Sequence, residues 1–264
     1  MVGEAIQDRR DKVIIATKCG LWWHDERGPL FFELEGYTVR RYLRPEAIRK
    51  ELEDSLKRLG TDYIDLYQTH WQTTEPISDP ISETMECLLK LKEEGKIRAI
   101  GASNVDVSQI KEYRAHGVLD AIQPRYSMLD RDIENEILPY CIDHNISTLV
   151  YSPLEQGLLT GTIGMDRTFS PGEYRNNIPW FKPQNRQRVL TMLDGWKPLT
   201  EKYKCNLAQL VIAWTIDQPG VTFALCGARK TEHSLENARS GSISLEPEDK
   251  NIMRKDVENL GAPI

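Results

Sequence analysis

Short apolar runs of strand length alternate with stretches patterned for helices, and this alternation most limits what the chain can fold into. Val13-Ile14-Ile15-Ala16-Thr17, Tyr63-Ile64-Asp65-Leu66-Tyr67, Arg98-Ala99-Ile100-Gly101, Ala121-Ile122-Gln123, Ser147-Thr148-Leu149-Val150-Tyr151 and Thr222-Phe223-Ala224-Leu225 are mostly β-branched or aromatic, bounded by Gly, Asn or Asp. Helical patterns fill the intervals. Pro45 opens one, with Ile48, Leu52, Leu56 and Leu59 at three- and four-residue steps. Ile81 to Glu94 forms another and stops at Gly95. Asp106 or Ser108 caps a short helix ending at Gly117, and Ile133, Ile137, Leu138 and Cys141 mark the next. Asn206 caps Leu207 to Asp217, and Thr231 opens a helix through Asn237. The order βαβαβαβαβαβα implies parallel strands joined by right-handed crossovers. Six such units fit an open doubly wound sheet or a (β/α)8 barrel short of two units. No GxGxxG follows a strand, which removes the main signal for a Rossmann sheet. Two loops stand out: Leu21 to Arg44, dense in aromatics, and Gly161 to Pro183, rich in Gly, Pro and Asn. In a barrel both lie at the C-terminal face, where active sites are built.

The chain has 264 residues, enough to bury a sizeable core without disulfide or metal. Its net charge of −6 disfavours nucleic acid and anionic membranes as partners. Cys19, Cys87, Cys141, Cys205 and Cys226 form no CxxC pair, and an odd, scattered set of thiols suits a reducing, cytoplasmic location. No apolar run has the length of a membrane span, and Met1 to Arg10 lacks the apolar stretch of a signal peptide.

The residues that end the strands carry the chemistry. Lys18 ends the first, His70 the second, Ser103 and Asn104 the third, Gln123 the fourth and Tyr151 the fifth. Parallel strand ends converge on one mouth in a barrel. Taken singly, each is ordinary: a strand-end Lys is a solvated charge and a lone His a structural residue.

Together, and in their local wording, they resemble the aldo-keto reductase family. The motifs are Ile15-Ala16-Thr17-Lys18; Ser55-Leu56-Lys57-Arg58-Leu59-Gly60-Thr61-Asp62-Tyr63-Ile64-Asp65-Leu66; His70-Trp71; Gly95-Lys96-Ile97-Arg98-Ala99-Ile100-Gly101-Ala102-Ser103-Asn104; Tyr151-Ser152-Pro153-Leu154-Glu155-Gln156-Gly157-Leu158-Leu159-Thr160-Gly161; and Gly227-Ala228-Arg229-Lys230 with Glu236-Asn237. The resemblance runs from Val2 to about Glu258 and is greatest to the bacterial branch that includes methylglyoxal-reducing enzymes.

The resemblance implies a single NADP-dependent oxidoreductase domain over residues 1–264 that reduces small aldehydes or ketones by hydride transfer from NADPH or NADH. Lys18 and His70 match the family's catalytic Lys and His. Ser103, Asn104 and Gln123 match the groups that bind the nicotinamide carboxamide, and Tyr151 matches the aromatic that stacks on the ring. Ser152 follows Tyr151 in the same motif as a cofactor contact. Leu154, Gln156, Gly157 and Leu159 match the loop over the pyrophosphate. Gly227, Arg229, Glu236 and Asn237 match the adenosine end. His233 stands where NADPH-preferring members often place an Arg, and a His lacks that guanidinium's fixed charge. The choice between NADPH and NADH therefore stays open, and no metal is expected.

One departure concerns the start. Met1-Val2-Gly3-Glu4-Ala5-Ile6 resembles the tail of the family's second helix. The family's N-terminal hairpin, its first two β/α units and the loop with its catalytic Asp and Tyr have no counterpart here. The fold expected is thus a (β/α)8 TIM barrel of aldo-keto reductase type, incomplete at about six of eight units and N-terminally truncated. Its strands at 13–17 and 222–225 then become exposed apolar edges. An inactive remnant is one alternative on this ground, and a cofactor-binding regulatory subunit is another. A TIM-barrel lyase or isomerase calls for paired carboxylates or a metal cluster at strand ends, and none is present. The partner expected is a small carbonyl compound.

Overall fold

The computed structural model describes residues 1–34, 36–73 and 78–264, and the chain divides into two compact units. Unit one comprises Met1–Pro124 and Pro139–Thr148; unit two comprises Arg125–Leu138 and Leu149–Ile264.

Unit one opens with helix α1 (Val2–Ile6) and strand β1 (Ala16–Cys19). A small antiparallel sheet follows, with β2 (Leu21–Trp22), β3 (Leu30–Leu34) and β4 (Tyr37–Arg41) in the order β2-β4-β3. Next come α2 (Pro45–Leu59), β5 (Ile64–Thr69), α3 (Ile81–Glu93), β6 (Ile97–Ser103), α4 (Val107–His116) and β7 (Ala121–Gln123). Helix α5 (Ile137–Asp143) begins in unit two and ends in unit one. Strand β8 (Ser147–Tyr151) gives its first two residues to unit one and the rest to unit two. Unit two continues with α6 (Pro183–Asp194), α7 (Lys197–Lys202), α8 (Leu207–Ile216), β9 (Phe223–Leu225), α9 (Thr231–Arg239) and α10 (Pro247–Leu260). Every pairing among β1, β5, β6, β7, β8 and β9 is parallel, so this is an α/β fold with six parallel strands.

Local sequence explains these elements. Pro45 occupies the first turn of α2, where its missing N–H costs nothing, and Gly60 ends the helix with φ 65°. The buried face of α2 carries Ala47, Ile48, Glu51, Leu52, Ser55 and Leu56. Burying Ile48 and Leu52 stabilises by about 1.5–3 kcal/mol each. Asp106, not Ser108, caps α4: its side chain accepts from the Gln109 N–H, and the Gln109 side chain accepts from the Asp106 N–H. Asn206 and Gln209 repeat this box on α8. The core of unit two gathers Val150, Leu158, Leu159, Trp196, Leu210 and Trp214.

Three expectations are corrected. The first strand lies at Ala16–Cys19 rather than 13–17, because the Ile15 N–H is taken by the Asp65 carboxylate at 2.9 Å and Ile14 turns outward, 83% exposed. Leu21 to Arg44 is not a loop: it holds the three-stranded antiparallel sheet, with residue 35 outside the described residues. The helix expected through Ile133 and Cys141 is a short 3-10 turn at Asp132–Glu134 followed by α5. Among the described residues, β1 and β9 each pair on one side only, and Phe223 and Leu225 are exposed. No helix among them is long and apolar enough to cross a membrane.

Candidate active site

The strand register of unit one places its site residues on one face. Lys18 lies opposite Gln68, Gln68 opposite Gly101, and Ser103 opposite Gln123. Side chains two apart on a strand share a face, so Lys18, Gln68, Ser103 and Gln123 face the same way, and His70 follows directly after β5.

The strand ends are laced together. The His70 N–H donates to the Cys19 carbonyl at 2.8 Å. The His70 carbonyl accepts from Asn104 Nδ2 at 2.9 Å. The Ser103 hydroxyl and the Asn104 N–H both donate to the Gln123 carbonyl, at 2.8 and 3.2 Å. Asn104 has φ 57°, a conformation that Asn tolerates better than most residues with a side chain.

Lys18, His70, Trp23, Glu51, Asp54 and Arg58 help to line a cavity of about 140 Å³. Burial, and then the Lys18 charge, push the His70 imidazole down to about 4, so it is neutral at pH 7. Burial also lowers the Lys18 ammonium below its ordinary value. A neutral imidazole is a hydrogen-bond donor that keeps its proton, and the ammonium beside it and the Arg58 guanidinium give the cavity positive charge.

The antiparallel sheet borders this cavity. Trp22, Tyr42 and Ala47 bury one another, and the Tyr42 hydroxyl donates to Glu46 at 2.6 Å. Arg41 stacks over Phe31 at 4.2 Å and over Trp71 at 4.9 Å, which fastens the sheet to the residue following His70. Trp23 is 43% exposed. Of the two tyrosines in this segment, Tyr37 is exposed and Tyr42 is buried with its hydroxyl engaged.

Unit two holds the other candidates. Tyr151 ends β8 half-buried, and Ser152, Leu154, Gln156 and Gly157 are half-buried in the loop that follows. Leu159 is fully buried: its side chain lies in the core and its N–H donates to the Leu154 carbonyl at 3.2 Å. Gly227 and Arg229 occupy an exposed turn before α9, whose first turns carry an exposed His233 and whose later residues Glu236 and Asn237 are half-buried. Asn237 Nδ2 donates to the Gly227 carbonyl at 3.3 Å and so ties turn to helix.

Four residues near these positions were not singled out by sequence. Glu51 reaches the cavity from α2 and accepts from the Gly20 N–H at 2.7 Å. Gln68, between Lys18 and Gly101 in register, is fully buried. In unit two, Arg125 and Glu155 form an ion pair. A polar residue in mid-strand two before His70, and an acid one turn beyond Ile48, were the available signals for the first two.

Comparisons with known proteins find the following similarities. The model of the Aldo/keto reductase family matches residues 1–257. The NADH-specific methylglyoxal reductase of Escherichia coli (strain K12) is 46% identical over 261 residues, which cover 98% of this chain and 79% of that protein. The aldo-keto reductase YhdN of Bacillus subtilis (strain 168) is 38% identical over 98% of this chain and 75% of its own length. Among solved structures, a glycerol dehydrogenase from Gluconobacter oxydans is similar with a TM-score of 0.88 and 35% identity, over 100% of this chain and 77% of that one.

Proposed function

The chain belongs to the aldo/keto reductase family, and from that premise we propose that it is one NAD(P)H-dependent oxidoreductase domain that reduces small aldehydes or ketones. The observation that carries the reading is the shared cavity of Lys18 and His70, with the imidazole held neutral. A carbonyl under reduction builds negative charge on its oxygen. Neutral His70 donates a hydrogen bond to that oxygen and orients the carbonyl, and the Lys18 ammonium stabilises the alkoxide, which takes its proton from solvent to give the alcohol. Lysine beside histidine serves both purposes: its charge discourages a second cation and leaves the imidazole proton available for hydrogen bonding.

The residues present fit a nicotinamide cofactor. A carboxamide needs both donors and acceptors. The Ser103 and Asn104 side chains are ordered by their neighbours, and the Gln123 carboxamide makes no hydrogen bond among the described residues. We assign the carboxamide end to these three and the ring face to Tyr151. Ser152, Leu154, Gln156, Gly157 and Leu159 belong to the pyrophosphate loop, Leu159 through its backbone. Gly227, Arg229, His233, Glu236 and Asn237 belong to the adenosine end. Bound there, the cofactor supplies the hydride. With His233 in place of a fixed cation, both NADH and NADPH are candidates, although the E. coli relative is by its name NADH-specific. The architecture that goes with this function is the (β/α)8 barrel, and the described residues form six parallel strands.

Oxidation of NADH and of NADPH with methylglyoxal or another small aldehyde tests the reading. Turnover should depend on Lys18 and His70. Undiminished turnover by Lys18→Met would overturn it.

A further inference from the structure

After β8 the chain of unit two takes a strained path. Ser152, Glu155 and Gln156 have φ of 60°, 45° and 50°, and Gly157 follows at 96°. Three residues with a Cβ in the left-handed region within five positions are disfavoured unless their surroundings hold them there. The two ends are anchored: Val150 before the loop and Leu158 and Leu159 after it are fully buried in one apolar cluster.

The middle is held by Glu155. Its side chain is wholly buried. One carboxylate oxygen accepts from the Ser127 hydroxyl at 2.8 Å, and the other pairs with Arg125 Nη2. Arg125 also meets Asp130 through Nε at 2.9 Å. The segment that carries these groups is itself closed, because Ser127 and Asp130 exchange backbone hydrogen bonds of 3.1 Å. From the same segment the Tyr126 N–H donates to the Tyr151 carbonyl at 3.1 Å. Both Tyr151 and Glu155 are thus fastened to one rigid turn.

We propose that the ion pair between half-buried Arg125 and fully buried Glu155 positions the Ser152–Gly157 loop for the cofactor's diphosphate and so sets how tightly the dinucleotide is held. The inference rests on the reading of this loop as a cofactor contact. Arg125 and Glu155 act through the loop's shape. With the pair broken, the strained backbone relaxes in the free protein and must be ordered again on binding, a cost that weakens affinity. The step of hydride transfer is untouched once the cofactor is bound.

Fluorescence titration of the full chain with NADH and with NADPH, together with steady-state kinetics, tests this for wild type, Glu155→Gln, Arg125→Lys and the milder Ser127→Ala. Loss of a buried charged hydrogen bond predicts an increase of about tenfold in Kd and in cofactor KM for Glu155→Gln, with kcat at saturation within about twofold. Ser127→Ala should shift Kd in the same direction by about threefold, which keeps the test usable if the first variant fails to fold. Arg125→Lys, which retains the charge, should recover part of the affinity. A folded Glu155→Gln or Ser127→Ala protein that binds cofactor as tightly as wild type, or more tightly because a net positive charge now faces the diphosphate, would overturn the positioning role. Absence of binding by wild type itself would instead remove the cofactor reading on which the role depends.

Discussion

The buried carboxyl of Glu51 on α2 accepts a 2.7 Å hydrogen bond from the N–H of Gly20, two residues beyond Lys18. Gly20 has φ 94°, and a Cβ there would lie 2.5 Å from Leu43 Cδ2. The turn after Lys18 therefore needs a glycine for its path and an acid for its N–H. Burial pushes the Glu51 carboxyl up from 4.5 to about 8, with the Gly20 hydrogen bond opposing that rise and Asp54 adding to it.

This acid predicts a pH-dependent stability. At pH 7 the folded protein holds the Glu51 proton, whereas the unfolded chain has released it. Stability from this group is full below about 4.5 and is lost as pH rises through about 8. The loss is on the order of a few kcal/mol, since each tenfold change in proton affinity is worth about 1.4 kcal/mol. Thermal unfolding followed from pH 5 to pH 9 (roughly the span of that titration) should show Tm falling, and Glu51→Gln should flatten the fall. An unchanged slope in the variant would show that other groups govern it.

Much of this organisation was legible in the sequence because it is local. Pro45, Asn206 and the apolar rows marked α2 and α8, and five of the six apolar runs begin and end within two residues of their strands. The first strand was displaced by a contact invisible to periodicity, that of Asp65 with the Ile15 N–H fifty residues away. The antiparallel sheet went unread because its aromatic density masked a hairpin whose turn uses Gly36 at φ 83°. Helices α6 and α10 begin with Pro183 and Pro247, start signals that carry little weight beside polar, weakly periodic sequence. The strand-end residues were found because β-strand ends are local. Glu51 was hidden among apolar neighbours of its own helix, and Arg125–Glu155 joins residues thirty positions apart.

The electrostatics of the cavity predict how activity varies with pH. Because burial and Lys18 depress the His70 imidazole from 6.5 to about 4, it stays neutral across the physiological range. The ratio kcat/KM should therefore show no inflection assignable to His70 above roughly pH 5. On the stability side, the unfolded chain takes up this proton first, so the His70 contribution is lost as pH falls from 6.5 to about 4. His70→Ala and Lys18→Met should each lower kcat/KM by about 10²–10³. A loss seen only in KM for the cofactor would assign these residues to binding instead.

The antiparallel sheet predicts where substrate selectivity lies. Trp23 lines the Lys18–His70 cavity and is 43% exposed, whereas Trp22 is buried against Tyr42 and its Nε1 donates to Asp25 at 2.8 Å. Trp23→Ala should leave Tm within about 1 °C, since surface changes cost little, and should alter KM among aldehydes of different size. Trp22→Ala should cost about 3–5 kcal/mol through the cavity it opens. Equal effects of the two substitutions on stability and on KM would remove this division of labour.

Gln68 and Gly101 continue the strand register that starts at Lys18. Gln68 lies opposite Lys18 on one side and Gly101 on the other, is fully buried, and has no hydrogen-bond partner for either amide atom among the described residues. A Cβ on residue 101 would lie 2.7 Å from Gln68 Cγ and 3.2 Å from the Ala121 carbonyl oxygen. Gly101→Ala should therefore destabilise by about 1–3 kcal/mol through overpacking. Gln68→Met keeps the volume and removes two buried polar atoms without partners, so it should raise stability by about 1 kcal/mol or more. Denaturant titration of both variants measures the two signs. A destabilised Gln68→Met protein would mean that the amide is satisfied by ordered water, and the gain in this layer would then have to come from retaining the polar group.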